Sequence, residues 1–460
     1  MNTLCELFSR FEAAKEKKAL ITSKEEMTYG QLLAKIQDAD LLARKYSCVG
    51  ITVLLVGDYS SSTIACLLAL WRLGNVVALC CAAQDALVNE RAHLVQAARV
   101  IKIGEGNQID IFPTGIETSH PILSDMNHRK EAGFVIFSSG STGQPKASIH
   151  SAYAMLDKHV LKKRCFTSIS FLLFDHIGGF NTLFYVLFNV GKLVIPASRS
   201  PDVVAQAIAQ HRVETITASP TFLNLLVMSG ALMRYDFSSL KVINYGTEPM
   251  PESLLVVLTQ QLPWVRFSQA YGLSETGVMP AKSVSSLSTW ITFDKEQCNI
   301  RIVDGLLEVK VKTSMLGYIN ASSPFTSDGY FKTGDAVQQE GDRYRVLGRQ
   351  SDLINVGGEK VYPNEIENVL RNMPGVLEVA VTALENPIMG QVVGAAFKLQ
   401  TTEKLTSFRR RLYEFCHQRL PASYIPRKIL ITDALLHTAR SKKLGAFALQ
   451  STLIKEGEMV

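Results

Sequence analysis

Residues 50–100 place the strongest limit on the fold. Residues 51–56 form an apolar run of strand length, residues 63–73 one of helix length, and residues 76–81 a second apolar strand. Strand, crossover helix and strand make a βαβ unit, and such units assemble into parallel sheets covered by helices. The texture returns between residues 200 and 280, where 215–218, 241–245 and 265–268 read as short strands. The pattern predicts an α/β fold with a large layered N-terminal body and mostly parallel sheets. From residue 299 to 311 the texture changes to short alternating strands, which predicts a small β unit.

At 460 residues the chain is long enough for two or three folding units. A boundary falls at residues 349–352. Beyond it Pro363 starts a helix with Ile366, Val369 and Leu370 on one face. Residues 376–382 and 392–398 read as strands, and Leu405, Phe408, Leu412, Phe415 and Leu420 recur at roughly helical spacing. The expectation is an N-terminal domain over 1–350 and a smaller mobile α+β domain over 351–460.

A 47% hydrophobic and 20% charged composition belongs to the soluble globular class. Glu6, Arg10 and Glu12 interrupt any signal-like run at the start. Arg72 and Asp175-His176 break the longest apolar stretches, so no membrane span is expected. The eight cysteines show no CxxC pair and no metal spacing with histidine, which favours free thiols in a reducing, cytoplasmic compartment. Residues 401–460 hold eleven Lys or Arg against five Asp or Glu, a local +6. No interleaved aromatic motif of the kind that marks a nucleic-acid surface supports a nucleic-acid reading, so an anionic ligand or an acidic partner is the expectation.

The stretch Ser138-Ser139-Gly140-Ser141-Thr142-Gly143-Gln144-Pro145-Lys146 follows the apolar strand Phe134-Val135-Ile136-Phe137. Such a loop offers backbone N–H groups and hydroxyls to an oligophosphate, with a lysine to neutralise it. It is not a Walker A loop, which needs Gly before the Lys and Ser or Thr after it; here Pro145 and Ala147 stand in those places.

This loop resembles the phosphate loop of the adenylate-forming superfamily: acyl-CoA synthetases, peptide-synthetase adenylation domains and luciferases. The family's other signatures follow in order. Gln269-Ala270-Tyr271-Gly272-Leu273-Ser274-Glu275-Thr276-Gly277 resembles its Tyr-Gly-x-Thr-Glu motif, with Ser274 in place of Thr. Tyr330-Phe331-Lys332-Thr333-Gly334-Asp335 resembles its Thr-Gly-Asp motif. Gly348-Arg349-Gln350-Ser351-Asp352 and Asn355-Val356-Gly357-Gly358-Glu359-Lys360-Val361 resemble its interdomain segment. His437-Thr438-Ala439-Arg440-Ser441-Lys442 resembles its C-terminal lysine motif, with Ser441 where Gly is usual. Residues 355–367 are most similar to acyl-CoA synthetases.

The resemblance implies an AMP-forming ligase. A carboxylate and ATP would give an acyl-adenylate and pyrophosphate, and a thiol of CoA, or of a phosphopantetheinyl carrier protein, would then displace AMP. Ser138, Ser139, Gly140, Ser141, Thr142, Gly143 and Lys146 would cradle the phosphates, and Glu275 would hold Mg2+. Tyr271 would offer a face to adenine, beside Ser274 and the second loop Gly246-Thr247-Glu248. Asp335 and Arg349 would take the ribose. Lys442 would reach the α-phosphate, Ser351 would be the hinge, and Gly357-Gly358 would line a thiol channel. Phe174, Asp175, His176, Gly178 and Gly272 fall at the acyl side. Two readings of Asp175 stand: it faces a substrate ammonium group, or it caps the following helix. Two other activities stand beside the ligase: a stand-alone enzyme loading a carrier protein, and a non-catalytic nucleotide-binding regulator. The presence of Lys146, Glu275, Asp335 and Lys442 together argues against the regulator.

Overall fold

Helix Ser61–Arg72 shows why the chain folds in layers. Ser60 caps it, its side chain accepting from the Thr63 amide at 3.0 Å, and every residue from Ser61 to Trp71 is buried. Trp71 donates to the Gly133 carbonyl at 2.8 Å on one side and stacks on Phe184 at 5.2 Å on the other. The helix thus fills the space between a sheet and helix Ile177–Phe188. The computed structural model describes residues 3–433 apart from Ala83, 140–144, Lys162 and Ile388, together with Gln450, Leu453 and residues 458–459.

The first sheet has seven strands in the order Gly317–Tyr318, Pro145–Ser151, Gly133–Ser139, Val76–Cys80, Thr52–Val56, Arg99–Ile103, Ile109–Pro113. Its four central strands run parallel, as the βαβ texture requires, and the flanking strands are antiparallel. The second seven-stranded sheet runs Arg266–Gln269, Val242–Tyr245, Thr215–Ala218, Thr167–Ile169, Lys192–Val194, Lys18–Ile21, Glu26–Thr28. All its pairs are parallel except the last. Helices Pro201–His211 and Pro220–Met228 in this half each begin with proline, whose missing N–H costs nothing in a first turn.

The β unit expected around residues 299–311 is one hairpin of a six-stranded antiparallel sheet. Its two longest strands, Phe331–Glu340 and Arg343–Arg349, lead toward the C-terminal part. From Ile354 onward a separate six-stranded sheet carries helices Pro363–Leu370 and Leu405–His417 on a core of its own, including Ile366, Leu370, Phe397, Phe408 and Leu412. The smaller α+β unit is therefore present. Helix Pro363–Leu370 buries Glu367 beside Ile366, and the Glu367 carboxylate accepts from the Val381 amide at 2.7 Å.

Candidate active site

Strands Gly133–Ser139 and Pro145–Ser151 pair antiparallel, with Ser138 opposite Lys146 and Ser139 opposite Pro145. The two ends of the phosphate stretch therefore lie on paired strands, which the sequence reading of a loop after a strand did not specify. Pro145 opens the return strand, a position where a strand tolerates proline. Gly140, Ser141, Thr142 and Gly143 lie outside the described residues, as does Lys442. The short strand Gly317–Tyr318 extends this strand pair, with Tyr318 opposite Ser148. Asn320 closes the join: its Oδ1 accepts from the Ala147 amide at 3.0 Å and its Nδ2 donates to the Pro145 carbonyl at 2.8 Å.

Glu275 sits in the tight turn between the strands Gly272–Leu273 and Gly277–Val278. A Cβ on Gly272 would come within 2.4 Å of the Gly277 carbonyl oxygen, so Gly272 serves this close approach. The turn is pinned from outside. The Met315 amide donates to the Glu275 carbonyl at 2.6 Å, and the Thr313 hydroxyl donates to the Thr276 carbonyl at 2.6 Å. The Glu275 carboxylate accepts from the Tyr318 hydroxyl at 2.7 Å and from the Ser138 hydroxyl at 3.5 Å. Lys146 Nζ lies 5.4 Å from the centre of the Tyr318 ring. Burial, with the Glu275 carboxylate next, pushes the Tyr318 phenol well above its ordinary range. Ser138 and Lys146 of the phosphate stretch and Glu275 of the Tyr-Gly-x-Thr-Glu-like motif are brought to one place. Tyr318 joins them and was missed by the sequence reading.

Behind the turn, His150 is buried, stacked on Phe134 at 4.7 Å, with Nε2 3.2 Å from the Ser148 hydroxyl. Burial pushes its pKa down to about 4, against backbone hydrogen bonding to Ser274 and Thr313 that favours the charged ring.

On the nucleotide side, Asp335 and Arg349 are cross-strand partners, with Arg349 Nε 2.6 Å from Asp335 Oδ1. The second Asp335 oxygen accepts from the Tyr271 hydroxyl at 2.6 Å, and Arg349 also donates to the Thr333 carbonyl at 3.1 Å. Burial raises the Asp335 pKa, opposed first by the Arg349 charge. Tyr271 is buried, edge-on to Phe293 at 5.8 Å. Its hydroxyl orients Asp335, and its ring is largely a core ring where an open face for adenine was expected. In the second loop a Cβ on Gly246 would lie 2.5 Å from the Ala270 carbonyl oxygen. Thr247 has a φ of 75°, and Glu248 accepts from the Thr221 amide at 2.7 Å at the start of helix Pro220–Met228.

The acyl-side residues divide. Phe174 is fully buried, its ring centre 5.3 Å from that of Tyr59, and packs in the core cluster. His176 caps helix Ile177–Phe188: its Nδ1 accepts from the Gly178 amide at 3.0 Å. Asp175 is not that cap. It is 7% exposed, and its Oδ2 accepts from the Cys81 amide at 3.1 Å, tying the segment to the end of strand Val76–Cys80. Cβ atoms on Gly178 and Gly179 would meet Leu172 Cδ1 at 2.8 Å and the Leu173 carbonyl at 2.3 Å, so these glycines admit the neighbouring chain. Arg199 fixes the same wall through Asp58, which it meets at 2.7 and 3.1 Å, while Asp58 also accepts from the Phe174 amide at 3.3 Å.

Ser351 is exposed at the centre of the 3-10 turn Gln350–Asp352, its hydroxyl 3.1 Å from the Asp352 carboxylate. Gly357 and Gly358 form the two-residue turn between strands Ile354–Val356 and Glu359–Val361. Their φ values of 60° and 95° are the left-handed pair such hairpins need.

The sequence profile of the AMP-binding enzyme family matches residues 85–331, and that of the AMP-binding enzyme C-terminal domain matches residues 365–443. The indoleacetate–CoA ligase of Aromatoleum aromaticum is 29% identical over 339 residues, covering 67% of this chain and 65% of that protein. The L-proline–[L-prolyl-carrier protein] ligase of Pseudomonas fluorescens is also 29% identical, over 352 residues, covering 69% of this chain and 68% of the relative. The chain thus spans about two thirds of the length of these relatives. In fold it is similar to the anthranilate CoA ligase crystallised with anthranoyl-AMP, with a TM-score of 0.83 at 18% identity and coverage of 98% and 97%. With the family profile matching more than half of the sequence, the chain belongs to the AMP-binding enzymes, the adenylate-forming superfamily.

Proposed function

We propose that the protein is an AMP-forming acid–thiol ligase that activates a carboxylic acid with ATP and passes the acyl group to CoA. The observation that carries this reading is the meeting of Ser138, Lys146 and Glu275 at the paired ends of the phosphate stretch. A carboxylate oxygen would attack the α-phosphorus, the bond to pyrophosphate would break, and an acyl-adenylate would form. The thiol sulfur would then attack the acyl carbon and AMP would leave.

Two anions must approach in the first step, so cations and fixed orientation are the main needs. Lys146 and Ser138 would hold the β- and γ-phosphates, with Ser139 beside them. Asp335, oriented by Tyr271 and Arg349, would hold the ribose, and the turn Gly246-Thr247-Glu248 would border the base with Ser274. Lys442 would stabilise charge at the α-phosphate. Among the described residues no group of three His, Cys, Asp or Glu could form a metal cage. A single hydroxyl-bonded carboxylate, Glu275, fits magnesium, which takes one or two carboxylates and relies on substrate phosphates for the rest. Bound there, magnesium would neutralise phosphate charge.

Ser351 would serve as the hinge between residues 1–350 and 351–460, presenting Lys442 first and the Gly357-Gly358 turn second. The acid is a small molecule seated against the wall of His176, Gly178 and the Asp175 segment. Likeness to a carrier-protein ligase favours a second reading, in which the thiol belongs to a phosphopantetheinyl carrier. Among the described residues no helix is long and apolar enough to cross a membrane. The free cysteines suit a reducing cytoplasm.

Acid-dependent exchange of labelled pyrophosphate into ATP tests the first half-reaction over fatty, aryl, hydroxy and amino acids. Thioester formation with CoA against a carrier protein tests the second. Absence of exchange with every class of acid overturns the reading.

A further inference from the structure

Tyr318 touches both charged groups of the phosphate end, on two different faces of its side chain. Its hydroxyl donates to Glu275 Oε1 at 2.7 Å. Its ring lies beneath Lys146 Nζ at 5.4 Å, within the roughly 6 Å reach of a cation–π contact. We propose that Tyr318 is a positioning residue of the nucleotide site, its hydroxyl orienting Glu275 toward the divalent cation and its ring supporting Lys146 toward the phosphates.

The backbone gives Tyr318 the rigidity this role needs. The Leu316 amide donates to the Ile149 carbonyl at 2.7 Å and the Ile319 amide to the Ala147 carbonyl at 2.9 Å, so Tyr318 is held in the sheet that carries Lys146. A few residues upstream, Met315 and Thr313 bind the carbonyls of Glu275 and Thr276, each at 2.6 Å. One segment, residues 313–320, thereby fixes the distance between the strand pair and the turn of Glu275. Neither motif supplies that tie by itself.

The chemistry of the contact is directional. A carboxylate only accepts, and a phenol beside it is the donor. Holding one oxygen fixes the plane of the carboxylate while leaving lone pairs for a cation. Magnesium demands near-ideal octahedral geometry, so a swivelling carboxylate is a poorer ligand than a fixed one. A side chain that merely filled space here would need only the ring, and phenylalanine would serve as well. The hydroxyl is the part that a packing role leaves unused.

The proposal rests on the ligase reading for the roles of Glu275 and Lys146, so its test reads nucleotide binding without any acid. Calorimetric titration of ATP into the full-length protein is compared in excess magnesium and in EDTA, for wild type, Tyr318→Phe and Tyr318→Leu. Groups that orient a metal ligand typically contribute about 10–100-fold to metal affinity or activity. Tyr318→Phe should therefore weaken magnesium-dependent ATP binding by about tenfold, leave binding in EDTA unchanged and keep the thermal midpoint of wild type. Tyr318→Leu should weaken binding in both conditions, because Lys146 loses its support. Equal affinities for Tyr318→Phe and wild type in magnesium overturn the proposal, and so does an equal loss in EDTA. If Tyr318→Leu does not fold, the Phe variant decides alone. Wild-type pyrophosphate exchange, run in parallel, separates the two claims. Exchange that is silent with every acid beside a Tyr318→Phe defect confined to magnesium removes the ligase reading and keeps the role of Tyr318.

Discussion

Asp335 and Arg349 stand opposite each other on neighbouring antiparallel strands, joined at 2.6 Å, and Arg349 is the residue immediately before the turn Gln350–Asp352. The acid assigned to the ribose is thus held by the last strand of the body that precedes the C-terminal unit. Both Asp335 oxygens have protein partners, so the carboxylate is oriented before any sugar arrives.

Arg349→Met should leave the buried Asp335 carboxylate short of a donor. An acceptor stranded in this way costs about 1–3 kcal/mol. Chemical denaturation should show a loss of that size, and the ATP concentration for half-maximal exchange should rise. A variant as stable as wild type with unchanged ATP dependence would refute the orienting role.

Lys442→Ala should lower adenylation by about a hundredfold or more, the scale of losing one transition-state donor. Thioester formation from preformed acyl-adenylate should be much less affected, since the proposed contact belongs to the first step. Equal losses in both half-reactions would remove Lys442 from that role.

Asp175→Asn tests the acyl side. The Cys81 amide can still donate to an asparagine oxygen, so the segment should keep its place. If the carboxylate only ties chain segments together, the ranking of acids stays as in wild type. If it faces a substrate ammonium group, amino acids lose about 1.5–3 kcal/mol of activation relative to fatty and aryl acids. The tie to Cys81 leads us to expect the first result.

His150 should mark the acid limb of stability. Its folded pKa, about 4, lies below the ordinary histidine value, so the unfolded chain takes up the proton first as pH falls. The contribution is complete above about pH 6.5 and is lost progressively toward pH 4, by about 3 kcal/mol for a shift of this size. His150→Leu should flatten unfolding free energy against pH in that window. A slope equal to wild type would show that another group sets the acid limb.

What the sequence made legible follows from where the signals lie. The strands at 51–56 and 76–81 were readable because a fully buried parallel strand is apolar throughout. The observed strands Thr52–Val56 and Val76–Cys80 differ from those bounds by a single residue each. Asp335, Arg349, Glu275 and Lys146 were readable from motif order, and the structure brings them together in two groups. Tyr318 was not, because its partners Glu275 and Lys146 are 43 and 172 residues away in the chain and its own neighbours carry no charge pattern. One of the two readings of Asp175 places the cap of helix Ile177–Phe188 a residue early, since Asp is the commoner cap and the ring nitrogen of His176 does the same work. Tyr271 looked like a stacking residue because burial is invisible in a motif. Its ring packs edge-on against Phe293 within a buried cluster that includes Leu273, Met279 and Phe331.

In the proposed reading the phosphate stretch would also set how the anion is released. The element that follows it is a strand, Pro145–Ser151, so among the described residues no helix dipole begins there to face a bound phosphate. In the proposed reading Lys146 would supply an ammonium group to grip pyrophosphate, and that attraction weakens as ionic strength rises. Higher salt should speed departure of the leaving group more than it slows its formation, and a ligase that must empty this end before a thiol can enter gains turnover from a loose hold.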